Sequence, residues 1–195
     1  LEITNTKIPS MMTGRSLKAV FASTEARHRE QAYIAFERHA TSRKGGKGYP
    51  ARALRNHDYL YILNHEPTRW PAGDPNAANC ARGFPFGEVD SSPTKTLLMK
   101  SPEFSRFHEL AFDKHPAEEL YDIVKDPHQL LNIADNKDYT EVLKSLRHKL
   151  QKHLIETRDP RALGQEPLWD YYPHYSGRKN PNWEVDPMPE HLKSK

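Results

Sequence analysis

The sequence predicts an α+β fold, in which a small antiparallel sheet of about four strands carries a long C-terminal helix across one face. Two observations lead to this prediction. Four short segments rich in strand-forming residues are joined by turns and loops, and they do not alternate with helices as β-α-β units do. Near the end of the chain, residues 138–157 place apolar side chains at helical spacing, so one face of that helix is apolar. Covering this face is what stabilises such a helix, and the sheet is the surface available to cover it.

The four predicted strands cover residues 33–36, 51–55, 59–63 and 119–124. Residues 56–58 form a three-residue turn that suits a hairpin between the second and third strands. Proline and glycine are dense over residues 66–93, which predicts an ordered loop. A shorter helix is predicted over residues 103–114, where Phe104 and Phe107 have helical spacing.

The long helix is framed by residues that begin and end helices. Asp135 or Asn136 can cap its N-terminus through a side-chain oxygen. Pro160 follows closely on its end. We expect its apolar stripe to be buried against the sheet, and six side chains form that stripe: Tyr139, Val142, Leu143, Leu146, Leu150 and Leu154.

The composition argues against several classes of function. Of the 195 residues, 36% are hydrophobic and 28% are charged, which predicts a modest core and a polar surface. The formal net charge is +3, and acidic residues are mixed evenly with basic ones, so we expect no nucleic-acid and no membrane partner. Cys80 is the single cysteine, which excludes an internal disulfide framework and a cysteine-based zinc site. His148 and His153 are five residues apart on the long helix, so they do not form a helical metal pair.

One motif is more specific than any of these features. It consists of Glu119-Leu120-Tyr121-Asp122, followed by Asp126-Pro127, Asn132 and Ala134. It resembles the signature that closes formylglycine-dependent sulfatases, in which Glu-Leu-Tyr-Asp-Leu, Asp-Pro and Asn-Leu-Ala recur in that order. Ile123 and Ile133 stand where leucine is usual, and Gln129 stands where glutamate is common.

Other segments extend the resemblance along the chain. Those similar to the sulfamidases (heparan N-sulfatases) and their bacterial relatives are residues 48–53, 59–62, 69–73 and 92–96. Residues 12–17 resemble the segment that ends the large alkaline-phosphatase-like domain of sulfatases. The resemblance implies three parts: residues 1–24 as the end of that large domain, 25–157 as the C-terminal α+β subdomain, and 158–195 as an irregular proline-rich tail. Because the first methionine is Met11, we interpret the start of the chain as a cut inside a longer polypeptide.

The resemblance implies a function for the parent protein. It would hydrolyse a sulfate ester or sulfamate on a sugar, using calcium and a formylglycine residue. It would act in the periplasm or as a secreted protein, and we favour a bacterial source. Its N-terminal catalytic domain would be the partner of this chain. Here Cys80 is followed by Ala-Arg-Gly-Phe, which does not match the C-x-P-S-R-like formylglycine motif. Without a nucleophile or metal ligands, we expect the chain alone to be inactive and to shape the substrate mouth.

The basic loop (residues 38–49) contains the candidate site residues. We predict that Arg38 and His39 bind substrate, because arginine suits sulfate and carboxylate oxygens and the resemblance implies that this stretch lies near the pocket. The alternative for both residues is a solvated position in a charged loop. Arg43, Lys44 and Lys47 are expected to be solvated, as most charged loops are.

Other candidates have two interpretations each. Arg52 could touch a ligand, but we favour a structural pair with a buried carboxylate. Trp70 could stack on a sugar, but we favour packing of the loops. Ser92 could bond a substrate hydroxyl or cap a helix.

Two other classes of function remain to be compared with a sulfatase fragment. The first is a free-standing module that binds sulfated carbohydrate without hydrolysing it, and residues 1–24 argue against it. The second is nucleic-acid binding through residues 38–55, which predicts a steep dependence on salt. The mixed charge of the remaining sequence gives that second class little support.

Overall fold

The computed structural model describes residues 1–166, 168–173 and 184–193. The chain divides into two compact units, Leu1–Ala32 and Tyr33–Lys195. Parts of the predicted tail, at residues 167, 174–183 and 194–195, lie outside the described residues. No helix in the described ranges is long and apolar enough to span a bilayer.

The sheet has four strands, which lie side by side in chain order. They are β1 (Gln31–Phe36), β2 (Ala51–Asn56), β3 (Tyr59–Asn64) and β4 (Glu118–Asp122). Strand β3 pairs antiparallel with β2 and with β4. The β2–β3 turn is one residue shorter than predicted, because Asn56 extends β2 and its Oδ1 accepts from the N–H groups of Asp58 and Tyr59.

The described residues contain four α-helices. They are α1 (Lys18–Ala22), α2 (Pro93–Lys100), α3 (Ser105–Phe112) and α4 (Thr140–Glu156). The sequence predicts no helix over residues 93–100 beyond a possible cap at Ser92, and the structure has α2 there. The predicted helix over 103–114 is a 3₁₀ turn (Pro102–Phe104) that continues into α3. A 3₁₀ turn at Lys137–Tyr139 precedes α4, and Asn136 caps it by accepting from Asp138 N–H at 3.0 Å. Asn136 is one of the two residues predicted to cap this end.

The main core lies between α4 and one face of the sheet. Helix α4 buries Leu143, Leu146, Leu150 and Leu154, which confirms the predicted stripe. They pack in one cluster with Leu54, Tyr61, Leu120 and Ile133. Burying a leucine side chain contributes roughly 1.5–3 kcal/mol, so this seam is the main source of the stability of the α+β unit. The predicted fold class is confirmed.

The signature motif forms the connection from β4 to α4. Asp122 ends the strand, and its Oδ1 accepts from the N–H groups of Val124 and Lys125. Asp126 Oδ2 then accepts from Leu131 N–H at 2.8 Å. Each aspartate therefore satisfies backbone donors that the turn leaves without a strand or helix partner.

Candidate functional site

The basic loop connects β1 to β2. Its backbone turns at Gly45 and Gly46, whose φ angles of 67° and 74° lie in the left-handed region that favours glycine. Asp186, from the C-terminal segment, lies directly on this turn and donates its N–H to Gly45 O at 2.9 Å. A Cβ on Gly45 would lie 2.3 Å from the Asp186 carboxylate, so the close approach also requires glycine.

Arg38 lies half-buried at the start of this loop. Its guanidinium donates to the carbonyl oxygens of Gly46 at 3.1 Å and Tyr172 at 2.9 Å. Burial lowers the pKa of Arg38, and the Asp170 carboxylate acts in the opposite direction. Both bonded acceptors are neutral carbonyls, and in the described ranges no carboxylate lies within ion-pair distance of this guanidinium. Its positive charge is therefore not neutralised by a direct partner there.

His39 follows with its ring at the surface. The side chain is 69% exposed, and its Nδ1 lies 3.2 Å from Oε2 of Glu88, whose side chain is only 8% exposed. The same carboxylate oxygen accepts from Ala40 N–H at 3.1 Å. Sequence reasoning missed Glu88, because it lies 49 residues from His39 and belongs to no motif that points to a site.

The prediction that Arg43, Lys44 and Lys47 are all solvated is wrong for Arg43, which is buried. The Arg43 side chain is 5% exposed and forms an ion pair with Glu88 at 2.8 Å. Its Nε and Nη2 donate to the carbonyls of residues 70–71, each at 2.6 Å. Burial lowers the pKa of Arg43, and the Glu88 charge opposes this. Lys44 is exposed as predicted, whereas Lys47 is half-buried.

Arg52 has the structural role that the sequence favoured. It is buried, with Nη2 2.6 Å from Glu37 and Nε 2.7 Å from Asp159. Arg161 also donates to Glu37 through two nitrogens, at 2.8 and 2.7 Å. These ion pairs connect β2 to the segment that follows α4, and they occupy the Arg52 guanidinium.

The two loop candidates are also structural. Trp70 is half-buried and packs edge-to-face on Phe86, with ring centroids 6.2 Å apart. Ser92 Oγ accepts from Lys95 N–H at 3.1 Å and so caps α2. Lys95 itself is buried, a role that its sequence context did not indicate. Its Nζ donates, at 2.8 Å each, to the carbonyl oxygens of Pro85, Phe86 and Val89.

The described residues do not fit the nucleophile or the metal that the resemblance assigns to sulfatases. Cys80 is fully buried, its Sγ donates to Ser42 O at 3.2 Å, and burial raises the pKa of its thiol. A thiol in this environment is not a nucleophile. In the part of the chain that the structure describes, no group of three or more His, Cys, Asp or Glu side chains could hold a metal ion.

A concave surface lies on the sheet face opposite α4. This cleft has a volume of about 830 Å³, and its lining includes Leu60, Ile62, Leu110 and Leu131. Leu60 and Ile62 alternate with the side chains of β3 that face α4, so they form the floor. The cleft is apolar at its base and charged along its rim, where α3 contributes Arg106 and other ionisable residues.

One wall of the cleft contains a buried polar network around Glu119, which is 3% exposed. Its carboxylate accepts from His115 Nδ1 at 3.1 Å, Asn64 Nδ2 at 2.7 Å and Tyr121 OH at 2.5 Å. The hydrogen bond to Glu119 raises the pKa of His115, although burial opposes it. Burial acts to raise the pKa of Glu119, and the hydrogen bonds from His115 and Tyr121 outweigh it, so that pKa is lowered.

Comparison with known proteins points to one class. No protein-family model matches the chain. Among curated proteins, the ulvan-active sulfatase of Formosa agariphila is 26% identical over 146 residues, which cover 73% of this chain and 22% of that sulfatase. This match supports a relationship to the sulfatase family. The chain spans about a fifth of the length of this relative.

Two solved structures are also similar. One is BT4656 in complex with its substrate D-glucosamine-2-N,6-O-disulfate, with a TM-score of 0.49 and 17% identity over 85% of this chain and 24% of that one. The other is BT1596, a 2-O GAG sulfatase, with a TM-score of 0.45 and 15% identity over 91% of this chain and 29% of that one. Likenesses at this level do not bear on activity or substrate.

Proposed function

We propose that this chain is the C-terminal part of a sulfatase, a hydrolase that removes sulfate from a sugar. The observation that carries the proposal is its 26% identity over 146 residues to a curated sulfatase. The connection from β4 to α4 adds support, because the polar residues of the resemblance hold that connection through hydrogen bonds to the backbone.

The parent enzyme belongs, in this proposal, to the sulfamidase-like subgroup, and its substrate is a sulfated saccharide carrying a sulfate ester or a sulfamate. Support comes from the segments that resemble this subgroup. They form the first half of β2, most of β3, the loop around Trp70, and the N-terminal cap and first turn of α2. Because these segments lie on separate elements, the resemblance follows the fold and is not confined to one loop.

Residues 1–24 are the end of the large catalytic domain, residues 25–157 form the C-terminal subdomain, and residues 158–195 are its tail. The first compact unit, Leu1–Ala32, exposes several large apolar side chains. Ile3, Met11 and Phe21 are 74%, 86% and 76% exposed. If the proposed catalytic domain covers this segment, these side chains become buried against it.

The partner of the chain is the N-terminal catalytic domain of the same polypeptide, and the cleft opposite α4 is the surface that meets it. Leu110 and Leu131 line this cleft and are 38% and 62% exposed. An apolar floor with a charged rim has the composition of a domain interface. The curated relative is more than four times as long as the segment it shares with this chain, which is ample length for such a domain.

Chemistry in the parent depends on calcium and formylglycine, and both are held by the catalytic domain. This chain contributes to the mouth of the active site, where Arg38 and His39 contact the saccharide. The Arg38 charge is suited to a sulfate group, because a guanidinium donates two parallel hydrogen bonds to such an anion. The parent acts in the periplasm or outside the cell.

Mass spectrometry of the native protein tests this proposal. Peptides from residues 33–166 should be found in an intact polypeptide several times heavier than 22.6 kDa, together with a peptide that carries formylglycine. A native polypeptide of about 22.6 kDa, with no associated formylglycine-containing chain, would contradict it.

A further inference from the structure

His39 and Glu88 form a histidine–carboxylate pair whose two members have very different exposure. The imidazole is 69% exposed, whereas the carboxylate beside it is 8% exposed. His39 Nδ1 and Glu88 Oε2 are 3.2 Å apart. Nδ1 of the ring therefore faces a buried anion, while most of the imidazole is exposed.

Two donors other than His39 hold the Glu88 carboxylate in place. Ala40 N–H donates to Oε2 at 3.1 Å, and Arg43 Nη1 donates to Oε1 at 2.8 Å. Arg43 is in turn anchored by two backbone carbonyls at 2.6 Å. These donors fix the orientation of the carboxylate. The carboxylate in turn positions the His39 ring through its contact with Nδ1.

This arrangement determines which ring nitrogen carries the proton. A carboxylate paired with an arginine only accepts hydrogen bonds, so Nδ1 of His39 must donate. In the neutral imidazole the proton then lies on Nδ1, and Nε2 keeps its lone pair. A carboxylate that fixes the tautomer of a histidine in this way also orients the ring.

We propose that Glu88 is the positioning residue of His39, and that it presents Nε2 as a hydrogen-bond acceptor for a hydroxyl group of the saccharide. This inference rests on the proposed function, in which His39 contacts that saccharide. The neighbouring Arg38 then recognises an anionic group, while His39 recognises a neutral hydroxyl. Arg38 and His39 together select sugars in which a sulfate and a hydroxyl have the matching relative positions.

The first test is a nitrogen-15 NMR measurement of the His39 tautomer in the 195-residue chain, at a pH where the imidazole is neutral, with His39→Ala used to assign the signal. The wild-type ring should be in the Nδ1–H form. Glu88→Gln should shift it toward the Nε2–H form, because the amide no longer attracts the proton as an anion does. A wild-type ring in the Nε2–H form would overturn the assignment of Glu88.

The second test uses the longer polypeptide and a sulfated disaccharide. The side-chain amide of His39→Asn can replace Nδ1, whereas that of His39→Gln reaches the position of Nε2. The glutamine variant should therefore keep KM within a few-fold of wild type, and the asparagine variant should raise KM about tenfold with kcat little changed. Equal KM values for both variants and the wild type would overturn the hydroxyl contact.

Glu88→Gln also weakens the pairing of buried Arg43, so this variant can lose stability. The wild-type tautomer and the two His39 variants keep the proposal testable in that case, because none of them changes Glu88. An inactive longer polypeptide would count against the proposed function. An active enzyme whose His39 is in the Nε2–H form would count against the role of Glu88 alone.

Discussion

The side chain of Asn132 bonds the backbone of Leu120, with Oδ1 accepting from the Leu120 N–H at 2.9 Å. The same oxygen accepts from Ala134 N–H at 3.0 Å. Ile133 N–H in turn donates to Leu120 O at 2.8 Å. These hydrogen bonds hold residues 132–134, in the connection that precedes α4, against β4 at Leu120, which is fully buried.

Replacing Asn132 should therefore destabilise the fold. Asn132→Ala removes the acceptor of two backbone donors, one of them on buried Leu120, and we expect a loss of about 1–3 kcal/mol in the free energy of unfolding. Urea denaturation of the 195-residue chain measures it. His128→Ala, an exposed change in the same link, is the control and should stay within about 0.5 kcal/mol of wild type. If the two variants were equally stable, Asn132 would not secure the link.

The pair His115–Glu119 should make stability depend on pH. Because the folded pKa of His115 is raised above 6.5, protonated His115 stabilises the fold fully below that pH, and the contribution is lost as pH rises through the folded pKa. The stability difference between wild type and His115→Gln should therefore shrink from pH 6 to pH 9. His148→Gln, on the exposed side of α4, is the control, because it removes an imidazole that lies at the surface. A difference that grows with pH would show the opposite linkage.

Arg38 and Lys44 provide a matched comparison within the basic loop. In the longer enzyme, Arg38→Ala should lower kcat/KM by about 2 kcal/mol, or roughly 30-fold, because a charged hydrogen bond to substrate is lost. Lys44→Ala should be nearly silent, since this side chain is exposed. Because Arg38 also bonds two carbonyls, the melting temperature of each variant must be measured. Equal kinetics in both variants, or unfolding as the chief effect of Arg38→Ala, would make this loop structural.

Leu131 and Val124 test whether the cleft is the surface that meets the proposed catalytic domain. They are 62% and 67% exposed, but only Leu131 lines the cleft. In the longer polypeptide, Leu131→Glu should destabilise by more than about 2 kcal/mol, because it buries an unpaired charge at the interface. Val124→Glu should have little effect, and both variants should be tolerated in the 195-residue chain. Equal melting temperatures in the longer polypeptide would place the interface elsewhere.

Elements with a strong local pattern could be predicted from the sequence. Leu143, Leu146 and Leu150 repeat at helical spacing, and the structure buries all three in one seam. Helix α2 has no such pattern. Its apolar residues Leu97 and Met99 do not form a buried stripe, since they are 45% and 37% exposed, and its sequence therefore lacks the spacing that predicts an amphipathic helix. Its start is set by the cap and the proline at its first turn.

The candidate site depends on contacts that are distant in sequence. Arg43 has the same local surroundings as solvated Lys44, and it is buried because Glu88 and the carbonyls of residues 70–71 reach it across the fold. No local pattern encodes that contact. Arg52 was easier to interpret, because an arginine between alanines in the middle of a strand needs a carboxylate partner, and Glu37 and Asp159 supply it.

Hydrolysis of a sulfated disaccharide tests most directly our proposal that this chain completes a sulfatase without supplying its chemistry. The longer polypeptide should release sulfate, and the purified 195-residue chain should release none above background, with or without calcium. Turnover by the 195-residue chain that survives purification, and that is lost on mutation of a residue within it such as His39→Ala, would contradict the claim.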